Sequence, residues 1–290
     1  MFNQNIKSPV NIPVSKIHPF EGNPYKVLDN EEMNLLIESI QQQGILTPIV
    51  VRPLENTKDE YELISGHRRL RASVKAGLET VPAFVYAINR DEAAIMLVDS
   101  NLHREHILPS EKAFAYKLKL EAIKRQGERT DLTSDQLGRK LESAELIANK
   151  SDDSKTQVRR YIRLTNLIPE LLELVDEGRI AFTPAVELSY LNEVEQADLV
   201  EEICICDATP NLSQAQRLRA ISREEGLTPE HIGEILAEEK ANQRPTIKFS
   251  VERLQKVAPK VKESDLENFV MKACEHYYRY LQRQRNRDAR

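Results

Sequence analysis

Hydrophobic and polar positions follow two periods along this chain, and the change from one to the other divides it. From Ile12 to about Ala87 the periods are mixed. In DNEEMNLLIESIQQQ, residues 29–43, Met33, Leu36, Ile37 and Ile40 recur at helical spacing behind a capping Asp29 or Asn30, and Gly44 stops the helix. The β-rich runs TPIVVR (Thr47–Arg52) and YELIS, joined by the polar turn LENTKDE, predict a hairpin. A helix from about His67 to Lys75, ended by Gly77, and a strand Val81–Tyr86 follow. After Asn89 the strand signals fade. DEAAIMLVDSNL and SEKAFAYKLKLEAIKRQG carry apolar residues at i, i+3/i+4 spacing, the second started by Pro109. A polar joint, GERTDLTSD, precedes further helices to about Lys240, and Gln243-Arg244-Pro245 reads as a linker.

The expected fold class is therefore α+β. A small α/β domain spans 1–90, a helical extension 91–130, an all-helical domain 131–240 and a helical C-terminal module 245–290. Composition narrows the classes further. With 30% charged and 40% hydrophobic residues and no apolar run near the roughly 20 residues of a membrane span, no membrane partner is expected. The start, MFNQNIKSPVNIPVSK, lacks the basic-then-apolar pattern of a secretory signal, so the cytoplasm is the expected location. Cys204, Cys206 and Cys274 fit neither a disulfide framework nor a zinc pattern and read as apolar filler. A net charge of −5 leaves nucleic-acid binding to the local distribution of charge.

Three constellations carry chemistry. In ISGHRRLRA a strand ends at Gly66 and a helix begins with arginines. First-turn amides without internal acceptors, the positive end of the helix dipole, and Arg68 and Arg69 as guanidinium forks together make an anion site. DSNLHRE, 99–105, at the end of the next helix, reads by itself as an ordinary interhelical loop. The third is SAELIANK (143–150), the polar turn Ser151-Asp152-Asp153, and a helix Ser154–Leu164 capped by Ser154: a helix-turn-helix. The second helix presents Lys155, Thr156, Gln157, Arg159, Arg160 and Arg163, contains no acid, and keeps Val158, Ile162 and Tyr161 for its inward face.

GHRRLRA followed by SNLHRE and LPSEKA resembles the ParB family of plasmid and chromosome partition proteins, over about Ile12–Leu191. The resemblance implies an N-terminal domain that binds CTP with Mg2+. GILTPIVVR (44–52) would line the cytosine pocket, and Gly66, His67, Arg68 and Arg69 would cradle the triphosphate. Asn101, Leu102, His103 and Arg104 would form the second phosphate motif, with Asn101 toward the metal. It also implies a homodimer that closes as a clamp on double-stranded DNA, a nucleoid-associated location, and a partition ATPase as partner. The sequence departs from the family at three places. Ser100 stands where the family has a glutamate beside the asparagine, a far poorer ligand for a hard cation, and Asp99 lies about 100° around the helix from that position. CTP turnover is therefore expected to be slow or absent. His67 replaces a frequent glutamate and Thr47 a frequent glutamine; no role carries over to Ser100 or Thr47.

The C-terminal segment spaces Leu266, Phe269, Val270, Ala273, Tyr277 and Leu281 along one stripe, a packing or dimer face, and ends in a basic arm of Arg279, Arg283, Arg285, Arg287 and Arg290. Two other functions compete: a helix-turn-helix transcriptional regulator whose nucleotide pocket has decayed, and a small-molecule kinase built on the same N-terminal fold. Sulfiredoxin chemistry would need a cysteine beside Gly66-His67, and the first cysteine is Cys204.

Overall fold

The strand signals resolve into one mixed five-stranded sheet in the order β1-β5-β3-β4-β2. The strands are β1 (Val10–Pro13), β2 (Ile17–Pro19), β3 (Ile49–Pro53), β4 (Tyr61–Ser65) and β5 (Thr80–Val85). The computed structural model describes residues 8–55, 57–102, 104, 106–130, 147 and 153–238, and, in a second compact unit, 254, 256, 261 and 265–288. The predicted hairpin is β3–β4, antiparallel with a register shift between Val50 and Val51, while β3 and β5 run parallel. The sequence pattern did not disclose β1 and β2, which are only four and three residues long and are held at the sheet margins by β5 and β4.

Both faces of the sheet are covered, which explains why IVV is continuously apolar rather than alternating. Leu63 and Val51 pack on one face with Leu70 of α2 (His67–Lys75), whereas the neighbouring Ile64 joins Phe20 and Tyr25 on the other face, against α3 (Arg90–Asn101) and α4 (Pro109–Thr130). Helix α1 (Glu31–Gln43) begins at Asn30, whose side chain accepts from Met33 N at 3.1 Å, and closes at Gly44, φ 70°. Asn30 rather than Asp29 is the cap. Asp29 instead accepts from Arg71 at 2.8 and 2.5 Å and pairs with Lys75 at 2.8 Å.

The helical half contains α5 (Lys155–Leu164), α6 (Pro169–Asp176), α7 (Phe182–Leu188), α8 (Glu193–Cys206), α9 (Leu212–Glu224) and α10 (Pro229–Ala237), around a core from Leu164 to Leu236. Helix α4 belongs to both halves. Its Ala115 and Ala122 face the sheet's core, Ala113 joins the helical core, and Tyr116 packs with Val158 of α5 and Ile147. Ile147 is the one described residue of the predicted first helix of the helix-turn-helix; the rest of 143–150 lies outside the described residues. In the second unit, α11 (Leu266–Asp288) buries Leu266 but exposes Phe269, Tyr277, Tyr278, Tyr280 and Leu281. Among the cysteines only Cys206 packs against a core. Cys204 and Cys274 are exposed, so apolar filling is not their role.

Across the hairpin, register partners Arg52 and Glu62 form a 2.7 Å ion pair with both side chains buried. Removing one member of such a pair strands a charge, whereas loss of an exposed partner costs little. Glu62→Ala is expected to lower stability by about 3–5 kcal/mol, and Glu55→Ala, whose pairing with Arg52 at 3.5 Å is exposed, by less than about 1 kcal/mol. Denaturant unfolding of the two variants side by side checks the contrast.

Candidate functional site

Gly66 sits at the junction of β4 and α2 with φ 101° and ψ 27°, left-handed backbone that glycine adopts without strain. A Cβ there would lie 2.8 Å from Ile49 Cγ2, so both the conformation and the space require glycine. The Gly66 carbonyl accepts from Leu70 N at 2.9 Å, which starts α2 directly after the strand. The amides of the first turn, beginning with His67, face outward at this end without helical acceptors.

The two arginines behind this junction have different tasks. Arg69 is half-buried, and its Nη1 donates to the carbonyls of Thr47 and, at 2.8 Å, Pro48. It ties the loop before β3 to the start of α2, and burial lowers its pKa from the ordinary guanidinium value. Arg68 is more open, with one exposed ion pair to Glu32 at 3.0 Å. Such a pair is easily exchanged for a more highly charged partner.

His67 is mostly buried, and its Nε2 finds no hydrogen-bond partner among the described residues. Burial, assisted by the positive charge of Arg104, pushes the imidazole down to about 4. It is neutral at physiological pH. The Tyr25 hydroxyl is a second buried polar atom without a partner. Burial pushes its pKa well above the ordinary phenol value; Arg104 opposes the shift, and Glu111 and Asp99 add to it. Tyr25 therefore remains a hydrogen-bond donor. Arg104 stacks over its ring at 5.5 Å. Unpaired buried polar atoms are costly, and two of the four such side-chain atoms among the described residues lie near Arg104. Tyr25 lies in an aperiodic loop, and nothing in its local sequence distinguishes it.

The second motif closes the C-terminal end of α3. Asn101 is buried, its Nδ2 donating to the Leu97 carbonyl at 2.7 Å and to Ser100 Oγ at 3.3 Å. Ser100 Oγ donates to the same carbonyl at 3.0 Å. Leu102 packs into the sheet-side core, and Arg104 N donates to the Asn101 carbonyl at 3.1 Å. His103 lies outside the described residues. Asp99 is paired with the ammonium of Lys119 on α4, a side chain only 1% exposed. Glu111 is committed too, accepting from Lys26 N at 2.8 Å and Leu108 N at 3.2 Å. Among the described residues no group of three or more His, Cys, Asp or Glu gathers to hold a metal. Among the described residues of this motif, the oxygens and nitrogens on offer are the Ser100 hydroxyl, the Asn101 amide and the Asp99 carboxylate already paired with Lys119; Glu105 lies outside the described residues.

The second candidate surface is α5. Ser154 caps it, accepting from Gln157 N at 3.2 Å, and Val158 and Leu164 face inward. Thr156 and Arg159 are exposed and Lys155 and Gln157 half-exposed. Arg160 and Arg163, which the sequence pattern presents with the others, are engaged by α7 and the turn after it. Arg160 Nη2 donates to Thr183 Oγ1 at 3.0 Å, and its guanidinium lies 5.1 Å from the Phe182 ring centre. Arg163 Nη2 donates to the Ser189 carbonyl at 3.1 Å and stacks on Tyr190 at 3.9 Å, while Arg219 stacks on the same ring at 3.5 Å. Of the arginines in α5, Arg159 is the most open to a phosphate.

Comparison with known proteins decides the family. A model of the ParB N-terminal domain matches residues 3–102. The chain is 32% identical over 210 residues to the chromosome-partitioning protein Spo0J of Thermus thermophilus, covering 72% of this chain and 70% of that protein. The chain belongs to the ParB family. A nucleoid occlusion protein of Listeria innocua is 31% identical over 202 residues, 69% of this ParB-family chain and 64% of the relative. A C-terminally truncated ParB of Caulobacter crescentus, solved in complex with the centromeric parS site, superposes with a TM-score of 0.43 and 22% identity over 73% of this chain and 98% of that one.

The buried, neutral His67 makes acid sensitivity testable. An unfolded chain takes up a proton near pH 6.5 that the folded histidine refuses until about pH 4. Its contribution to stability is present above about 6.5 and is lost as pH falls toward about 4. His67→Gln should flatten the decline in unfolding free energy between pH 7 and pH 4.5 by on the order of 2 kcal/mol. An unchanged slope would show that the imidazole is not held neutral.

Proposed function

We infer that this ParB-family chain is a sequence-specific DNA-binding protein of the partition or nucleoid-occlusion type whose clamp is gated by CTP. The observation that carries the nucleotide half is the Gly66 junction. A left-handed glycine with no room for a side chain opens a helix N-terminus, and the Tyr25 hydroxyl and His67 Nε2, both near Arg104, await a polar partner. Arg69 joins this cradle to the 44–52 stretch, so the element that would read the base and the one that would hold the phosphates are one rigid piece. Arg68 exchanges Glu32 for phosphate, and Arg104 approaches from the second motif. The exposed aromatic face of α11, Phe269 with Tyr277 and Leu281, supports a homodimer. No described helix is long and apolar enough to cross a membrane.

Calorimetric titration of CTP against ATP, GTP and UTP tests the nucleotide half, with CTP expected to bind preferentially. Arg68→Ala removes a charge-assisted contact worth about 1.5–3 kcal/mol, so affinity should fall at least about tenfold. Glu32→Ala, which only releases Arg68, should not weaken binding. Unchanged affinity in Arg68→Ala would sink the assignment.

For DNA, the exposed start of α5 supplies Thr156 and Gln157 for base edges, and Arg159 is its open phosphate contact. Gln157→Ala should cost roughly 1–3 kcal/mol on the selected site and little on random sequence. Arg159→Ala should weaken both and lower the salt slope by about one unit. Salt-dependent anisotropy after binding-site selection separates the two, and indifference to both substitutions would leave α5 as a packing element.

A further inference from the structure

Tyr190, in the turn after α7, carries a guanidinium on each side of its ring. Arg163 of α5 lies 3.9 Å from the ring centre and Arg219 of α9 lies 3.5 Å from it. Two planar guanidiniums at those distances would overlap on one face, so they stack on opposite faces. Like charges this close repel, but the ring attracts each of them, and Glu187 accepts from Arg219 Nη1 at 2.7 Å. Two positive charges thus stand here against one negative charge, within a chain whose net charge is −5.

Stacking occupies only the faces of a guanidinium, because its N–H donors lie in the plane. Among the described residues Arg219 has no partner for Nε or Nη2, and its side chain is 41% exposed. Tyr190 is 45% exposed. Bracing α5 against α9 uses the faces alone, whereas an open edge of donors serves an anion.

The stack also lies where α5 points. At about 100° per residue, Thr156 and Arg163 project within about 20° of each other, with Arg159 beside them, opposite the buried Val158. Arg163 stands about 10 Å further along the axis than Thr156, close to the ~12 Å width of a major groove. With Thr156 and Gln157 at base edges, the last turn of α5, Tyr190 and Arg219 stand at the groove wall, which is sugar and phosphate. One turn beyond Arg219, the exposed Arg223 continues the same face of α9.

We propose that Arg219, positioned by the Tyr190 ring, is a DNA-backbone contact, so that the interface runs from α5 across the turn after α7 onto α9. This rests on the reading of α5 as the helix that enters the groove. A phosphate contact carries no base information, so Arg219 adds affinity for every sequence and does not choose among them. Glu187 tempers the contact, because its carboxylate competes with phosphate for the same guanidinium.

The test is salt-dependent anisotropy of the full chain on its selected site and on random duplex. Arg219→Ala should weaken binding to both by about threefold to tenfold and lower the salt slope by about one unit. Arg219→Lys, which keeps the charge, should recover the slope. Tyr190→Leu should lose at least as much as Arg219→Ala, and Tyr190→Phe, which keeps both faces, should recover that loss. Glu187→Gln, which removes the competing anion, should tighten binding to both duplexes by about twofold or more. If Tyr190→Leu fails to fold, the variants at Arg219 and Glu187 decide alone. Affinity and slope unchanged in Arg219→Ala, or a loss that Arg219→Lys does not recover, overturn this proposal, and sensitivity to Gln157→Ala then leaves the reading of α5 standing. Absence of DNA binding by the natural chain overturns both.

Discussion

Helix α4 is the constraint on which the rest of this structure depends. Ala113, Ala115, Tyr116 and Ala122 are completely buried, yet they face different neighbours: the helical core, the core beneath the sheet, and the base of α5. Small residues let neighbouring elements approach closely, and Tyr116 is buried against Val158 and Ile147 while its hydroxyl donates to Asp153 Oδ2 at 2.5 Å. Lys112 reaches the same carboxylate oxygen at 2.6 Å, directly before the cap of α5. At the start of the helix, Ser110 donates from both N and Oγ to Asp176 of α6, at 3.0 and 2.5 Å. A helix held on so many sides has a single position in which all of these contacts close, and that position sets the distance between the end of α3 and α5.

The same geometry connects the two candidate sites by bonded contacts. From the end of α3 the Asp99–Lys119 pair leads to α4, and Tyr116 and Lys112 lead from α4 to Asp153. Lys119, Tyr116 and Lys112 lie on one helix, so Asp99 and Asp153, the residue directly before the cap Ser154, are held by the same element. Packed interiors respond to displacement as units rather than by gradual deformation. The helix is thus a physical candidate for the element that both ligands bias.

What the sequence disclosed follows from which interactions are local. Helix α2 was read from His67 to Lys75 because Gly66 and Gly77 bracket it, and α5 because Ser154 is a strong cap before an amphipathic run. Strands β1 and β2 were missed because their pairing partners lie more than forty residues away and neither is long enough to show a period. The engagement of Arg160 and Arg163 was not legible because nothing in α5 itself announces Thr183, Ser189 or Tyr190. Tyr25 and Lys119 were invisible for the same reason. KLKL resembles an ordinary solvated face, and only the tertiary approach of α3 turns Lys119 into a buried charge.

The departure at Ser100 takes on a different meaning beside that buried lysine. Taken alone, loss of a carboxylate suggests decay of a nucleotide site, since one metal ligand disappears with nothing in return. With Lys119 in place the change is balanced: the local anion that remains, Asp99, has its countercharge within the protein, and the hydroxyl of Ser100 satisfies a helix-end carbonyl.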